Sequence, residues 1–243
     1  MQLEHLSETR PCGSTRGRVI AIDGPAGAGK STVARILARR LGFFLLDSGA
    51  LYRVVAVHLL RCGISDDHVP VPQEALQRMN VSLEPGIGAM RVFLNGDDVS
   101  SEIRTERIGL LASRFSAMPE VRQALIGIQR AAGCKWNLVA EGRDMGTVVF
   151  PDAAAKFFLT AAPEVRARRR HNELKARGED VDFKTVLDDM AARDLRDETR
   201  SEAPLKPAHE AVVVDTSSLD VAAVVDILIM HATERRLGRA KEE

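Results

Sequence analysis

The run Gly24-Pro25-Ala26-Gly27-Ala28-Gly29-Lys30-Ser31-Thr32 has the residue types and spacing to hold a chain of phosphates. It fits the pattern G-x-x-x-x-G-K-[ST]. Glycines let the backbone curl until successive N–H groups point inward at phosphate oxygens. A helix starting at Lys30 would add the partial positive charge of its N-terminus. The Lys30 ammonium can reach the β- and γ-phosphates of a nucleoside triphosphate, and the Ser31 hydroxyl can ligate Mg²⁺. Such a loop serves kinases, GTPase switches and ATPase motors alike. A GTPase needs an Asn-Lys-x-Asp guanine reader, and no Asn-Lys pair occurs in the chain. The Leu-Ser-Gly-Gly signature of transporter ATPases is also missing. A kinase for a small acceptor requires a second anion site.

Two segments have the chemistry for it. Asp47-Ser48-Gly49-Ala50-Leu51-Tyr52-Arg53 and Gly142-Arg143-Asp144-Met145-Gly146-Thr147 each place an arginine beside carboxylate and hydroxyl groups. An acceptor phosphate carries nearly two negative charges, so two or three guanidinium groups are the matching chemistry. Taken singly, each arginine reads as a surface salt bridge. Both segments follow short apolar runs, however, and that common placement points to a site.

The elements needed to position these groups are legible around them. Residues 18–23, 43–46, 137–141, 156–160 and 211–215 are short apolar runs bounded by turn signals, and read as buried strands. Helical spacing covers residues 30–41, 50–61, 163–176, 182–200 and 219–237, with further helices within 101–132, one opened by Pro119. Buried strands alternating with helices predict an α/β fold whose parallel sheet is covered on both faces. Such sheets bind ligands at the carboxyl ends of their strands. The composition breaks at residues 64–100, where Pro70, Pro72, Pro85, Gly86 and Gly88 surround two β-like stretches and an Asn95-Gly96 hairpin turn. This segment reads as a small antiparallel insert.

The residues then become recognisable. Ile22 to Thr32, Leu46 to Arg53, Glu141-Gly-Arg-Asp-Met-Gly-Thr-Val-Val-Phe-Pro151, Arg193-Asp-Leu-Arg-Asp-Glu-Thr-Arg200 and Ala203-Pro-Leu205 together resemble the bacterial cytidylate kinase family. The likeness runs from about residue 18 to 237, and the Glu141–Pro151 stretch is its most specific part. It implies a P-loop nucleoside monophosphate kinase fold with a five-stranded parallel core at 17–63 and 101–237, a lid at about 163–180, and the insert at 64–100. It further implies ATP with Mg²⁺ as phosphoryl donor and CMP or dCMP as acceptor. Carried over by position, Arg53, Arg143 and Arg200 are implied ligands of the acceptor phosphate. Ser113, Arg122 and Asp144 are implied readers of the cytosine edge, and Arg193 and Asp197 ribose contacts. Asp47, Ser48 and Tyr52 would line the same pocket. In the lid, Arg166, Arg169 and Arg170 share a helix face and Arg168 lies on another; Arg168 and Arg170 are the pair taken to face ATP.

Whole-chain properties set bounds on this reading. Lys+Arg and Asp+Glu are equal at 34 each in 243 residues, which argues against a nucleic-acid coat. Of the basic residues 27 are arginine, a bias that composition alone can produce, so each position has to be judged singly. Aromatic residues make up 4%, too few for a base-stacking surface. Cys12, Cys62 and Cys134 form no C-x-x-C pair, consistent with reduced thiols in cytoplasm. Neither a secretory signal nor a membrane span is recognisable. Residues 1–16 read as a disordered leader and 238–243 as a tail, and the expected state is a monomer.

Overall fold

The computed structural model describes residues 18–64, 71–86 and 90–239. The expected leader at 1–16 lies outside them, as do residues 65–70 and 87–89 of the insert and residues 240–243 of the tail.

Five parallel strands form the central sheet: β1 (Val19–Asp23), β2 (Phe44–Asp47), β6 (Leu138–Glu141), β7 (Ala155–Thr160) and β8 (Val212–Asp215), in the spatial order β2-β6-β1-β7-β8. All five residues of β1 are buried, because helices cover both faces. Successive side chains point to opposite faces. Val19 and Ala21 join one core cluster with Leu138 and Ala140, while Ile20 and Ile22 join the other with Val139 and Phe157. The first cluster packs under α2 (Ser48–Arg61), α4 (Glu106–Phe115) and α5 (Pro119–Lys135), and the second under α1 (Lys30–Leu41) and α8 (Val221–Arg239).

The expected helix after β2 begins at Ser48 rather than Ala50, because the Asp47 side chain caps it by accepting from the Ala50 N–H at 3.1 Å. Between α2 and α4 lie the short helix α3 (Gln73–Gln77) and an antiparallel sheet of β3 (Val81–Glu84), β4 (Arg91–Leu94) and β5 (Asp97–Asp98). Asn95 and Gly96 make the β4–β5 turn with φ of 52° and 93°, conformations these two residues tolerate. Val92 and Leu94 reach down into the α2 core.

Two features bear on the site. The segment after β6 contains a π-helical turn at Met145–Val149. Farther on, α6 (Pro163–Ala176) and α7 (Phe183–Thr199) pack against each other through Ala167, Leu174, Val186 and Met190. Among the described residues, no helix is long and apolar enough to cross a membrane.

Candidate active site

Because the strands are parallel, the ends of β1, β2 and β6 meet at one edge of the sheet, where Asp47 pairs in register with Glu141 and Glu141 with Ile22. Asp23 closes β1 and the phosphate loop follows immediately. Gly24, Gly27 and Gly29 have φ of 144°, 73° and 86°. A Cβ on Gly24 would lie 2.0 Å from the Leu159 carbonyl oxygen, so no side chain fits there. Gly29 caps α1, and its left-handed backbone delivers Lys30 and Ser31 to the first turn. Pro25, Ala26, Ala28 and Thr32 complete the loop and its exit, Thr32 remaining exposed.

Lys30 is buried and donates to the Pro25 carbonyl at 2.6 Å. Burial lowers its pKa, with Arg143 adding to the effect and Glu141 opposing it. Ser31 donates its hydroxyl proton to Glu141 Oε2 at 2.9 Å. Glu141 is itself buried; burial and the neighbouring Asp47 raise its pKa. Its other oxygen, Oε1, has no hydrogen-bond partner among the described residues. A buried carboxylate oxygen without a partner beside a loop hydroxyl suits a divalent cation, which would restore the charge balance. Among the described residues no group of three or more His, Cys, Asp or Glu could hold a metal ion unaided. A cation here would therefore take most of its oxygens from nucleotide and water.

Opposite the loop, the arginines expected on the acceptor side converge. Arg143 Nε donates to Asp197 Oδ2 at 2.9 Å, and Arg200 Nη1 lies 3.9 Å from Asp197 Oδ1. Arg193 is packed among them; burial lowers its pKa to about 10, with Arg143, Arg53 and Arg170 lowering it and Asp197 raising it. Burial alone would raise the Asp197 carboxyl, but Arg143 and Arg193 together hold it down. The Nε of Arg193 and Nη2 of Arg200 are buried donors without a partner among the described residues. Excess positive charge with spare N–H groups is an anion site.

Beside this cluster, buried Arg122 forms an ion pair with Asp144 and donates to the Ser116 carbonyl at 3.2 Å. The Arg122 guanidinium also stands 5.8 Å from the centroid of the Tyr52 ring. Burial raises the Asp144 pKa against the opposition of Arg122 and Arg200. Ser113 sits one turn before Ser116 and accepts the Ser116 hydroxyl through its carbonyl at 2.9 Å. Ser48, buried at the start of α2, packs on Gly142, where an added Cβ would lie 2.6 Å from its Oγ.

The lid arginines, of which Arg168 and Arg170 are the pair expected to face ATP, differ in what they touch. Arg168 is exposed and stands over the Phe183 ring at 6.0 Å. Arg170 pairs with Glu106 of α4 and with Glu173. The arginines that reach the phosphate loop are Arg166, which donates to the Ala26 carbonyl at 3.2 Å, and Arg169, which donates to the Gly27 carbonyl at 3.4 Å. The helix face presented by α6 explains this: Arg166, Arg169 and Arg170 recur at three and four residues, and Arg168 does not. Arg166 also pairs with Asp194 at 2.5 Å, tying α6 and α7 to the loop. Asp23 and Glu141 were further groups not assigned from sequence. Their signal was present, since each is a carboxylate that ends an otherwise apolar buried strand.

A phosphate loop on the first strand of a parallel sheet, faced by an arginine-lined anion site at the neighbouring strand ends, places the chain among P-loop nucleotide-binding proteins. Residues 20–234 match the family model for cytidylate kinase, and the chain belongs to that family. It is 47% identical over 219 residues to the cytidylate kinase of Geobacter sp., covering 90% of this chain and 94% of that one. The cytidylate kinase of Pseudomonas aeruginosa is 48% identical over 219 residues, covering 88% and 94%. That of Colwellia psychrerythraea is 49% identical over 217 residues, covering 88% and 95%.

Proposed function

We propose that the chain transfers the γ-phosphoryl group of ATP to CMP or dCMP, forming ADP and CDP or dCDP. The observation that carries this reading is the placement of the buried Arg122–Asp144 pair beside the Arg143–Arg193–Arg200 cluster, across from the phosphate loop. Cytosine presents an exocyclic amine that donates and ring acceptors beside it; a carboxylate next to a guanidinium matches both.

An oxygen of the CMP phosphate attacks the γ-phosphorus in line. The new P–O bond forms as the bond from the γ-phosphorus to its bridging oxygen breaks, and ADP leaves with that electron pair. The nucleophile is already an anion, so no side chain has to remove a proton. Lys30 leaves the Pro25 carbonyl for the donor phosphates, whose charge offsets what burial costs the ammonium. Arg53, Arg143 and Arg200 hold the acceptor phosphate, Arg193 and Asp197 the ribose, and Asp144 with Arg122 and Ser113 the base. Ser31, with Glu141 behind it, would hold Mg²⁺, which supplies charge neutralisation at the phosphates when bound. Catalysis is then positioning and charge stabilisation, with α6, whose Arg166 and Arg169 already touch the phosphate loop, excluding water once nucleotide is bound.

ADP release with ATP and a panel of CMP, dCMP, UMP, AMP and GMP tests the reading. Turnover should be far faster with the cytosine nucleotides than with AMP or GMP. Equal rates across the panel would remove the cytosine assignment, and hydrolysis independent of acceptor would remove the kinase.

A further inference from the structure

Asp23 is buried at the end of β1, and the transfer scheme gives it no part. Both its oxygens are nonetheless committed: Oδ1 accepts from the Met145 N–H at 2.8 Å and Oδ2 from the Gly146 N–H at 2.7 Å. These two amides open the π-helical turn that follows β6. The first N–H groups of any helical turn have no partner within it, so a carboxylate aimed at them fixes where the turn begins. Three residues upstream of that turn's first residue, the Gly142 N–H donates to the Ile22 carbonyl at 3.0 Å, continuing the β1–β6 ladder by one residue.

Arg143 and Asp144 are therefore the crown of a short arch. Its upstream foot is fastened to Ile22 and its downstream foot to Asp23, adjacent residues of one strand. Both feet are closely packed, the upstream one more tightly. A Cβ on Gly142 would meet Ser48 Oγ at 2.6 Å, and one on Gly146 would come 3.3 Å from Ala208 Cβ and 3.4 Å from Asp23 Oδ2. The residue after Asp23 is Gly24, where the phosphate loop starts. The crown that carries an acceptor-phosphate arginine and the base-reading carboxylate is thus referenced to the residue from which the donor loop springs.

We propose that Asp23 is a positioning residue for the acceptor site, holding the Arg143–Asp144 arch in register with the phosphate loop. The proposal rests on the cytidylate kinase reading above. It also makes a distinction in kind. Asp23 lies near Lys30 and influences its charge, so a purely electrostatic role would act on the donor side. A positioning role acts through the arch and appears on the acceptor.

The test is steady-state kinetics of Asp23→Asn, which keeps the shape but faces one of the two N–H groups with an amide donor. The expected result is a rise of about tenfold or more in KM for CMP and a reduced preference for CMP over UMP, with KM for ATP within about threefold of wild type. An unchanged CMP KM and CMP/UMP ratio would overturn the proposal. So would equal rises in KM for both nucleotides, or a rise for ATP alone. Should Asp23→Asn fail to fold, Gly142→Ala leaves the carboxylate and its charge in place and crowds the other foot of the arch, where the added Cβ would come 2.6 Å from Ser48 Oγ and 2.9 Å from Met145 Cγ. It should shift the CMP KM in the same direction and spare ATP; wild-type values for both would overturn the proposal. A wild-type enzyme that does not phosphorylate CMP would instead remove the underlying reading, so the two failures are distinguishable.

Discussion

The buried pair between Arg122 and Asp144 offers a prediction with a built-in asymmetry. Their side chains are 8% and 3% exposed, so each charge depends on the other for compensation. Breaking a buried pair by removing one partner costs about 3–5 kcal/mol, because the survivor stays buried and uncompensated. The two survivors are not equivalent. After Arg122→Met, Asp144 still has Arg200 and Arg143 nearby. Burial already raises its pKa, and it can take up a proton to escape the remaining cost. After Asp144→Asn, Arg122 keeps the Ser116 carbonyl and the Tyr52 ring, but a guanidinium cannot shed its proton. Asp144→Asn should therefore be the more destabilising change, near the upper end of that range of about 3–5 kcal/mol, and Arg122→Met should lie at or below the lower end. The double variant should be less unstable than the sum by about 1–3 kcal/mol. Urea unfolding of all four proteins followed by circular dichroism, with linear extrapolation, measures each term. Additivity within about 0.5 kcal/mol would show that the pair is not coupled as described. A larger loss for Arg122→Met than for Asp144→Asn would refute the argument from proton uptake. Turnover separates stability from recognition, since the double variant should regain stability without regaining preference for CMP.

Three further outcomes follow from particular contacts. Gly24→Ala forces a Cβ to within 2.0 Å of the Leu159 carbonyl oxygen at φ of 144°; strain at such a position should cost about 1–3 kcal/mol or more, read as a lowered Tm together with weakened ATP binding. Arg169→Ala should reduce kcat/KM for ATP by about tenfold or more, while Arg168→Ala, which removes only an exposed guanidinium over Phe183, should stay within about twofold; the reverse ranking would reinstate Arg168 as the donor-side arginine. Burial pushes the Asp23 carboxyl up to about 6, with Asp144 adding to the effect and the Met145 and Gly146 N–H groups and Lys30 opposing it. The folded protein then takes up this proton before the unfolded chain does, so the contribution favours folding at low pH and is lost as pH rises through about 6. Relative to Asp23→Asn, wild type should gain about 1.4 kcal/mol of stability between about pH 7.5 and about pH 5, and a constant difference in urea unfolding across that range would exclude the shift.

Why some of this was readable in the sequence and some was not follows from the range over which each signal acts. The five strands and the helices around them are written in local periodicity, and the glycines of the phosphate loop in backbone conformations that only glycine adopts freely. Arg53 and Arg143 could be flagged because each follows an apolar run that had to end at the ligand edge of a parallel sheet. The π-helical turn at Met145–Val149 has no local signal of that kind. It exists because a carboxylate 122 residues earlier accepts its first amides, and neither segment alone announces the other. The lid shows the same limit from another side. Periodicity correctly separates Arg168 from Arg166, Arg169 and Arg170, but it cannot say which of the two faces meets the phosphate loop. That choice is made by the packing of Ala167, Leu174, Val186 and Met190 between α6 and α7, and by the Arg166–Asp194 pair beneath the loop. In a strand buried on both faces an ionisable terminal residue is expensive to keep, so Asp23 and Glu141 were candidates from composition alone. Each lies where the chain leaves the sheet, and each is held there by the groups it orients: the amides of the acceptor arch for one, the Ser31 hydroxyl for the other.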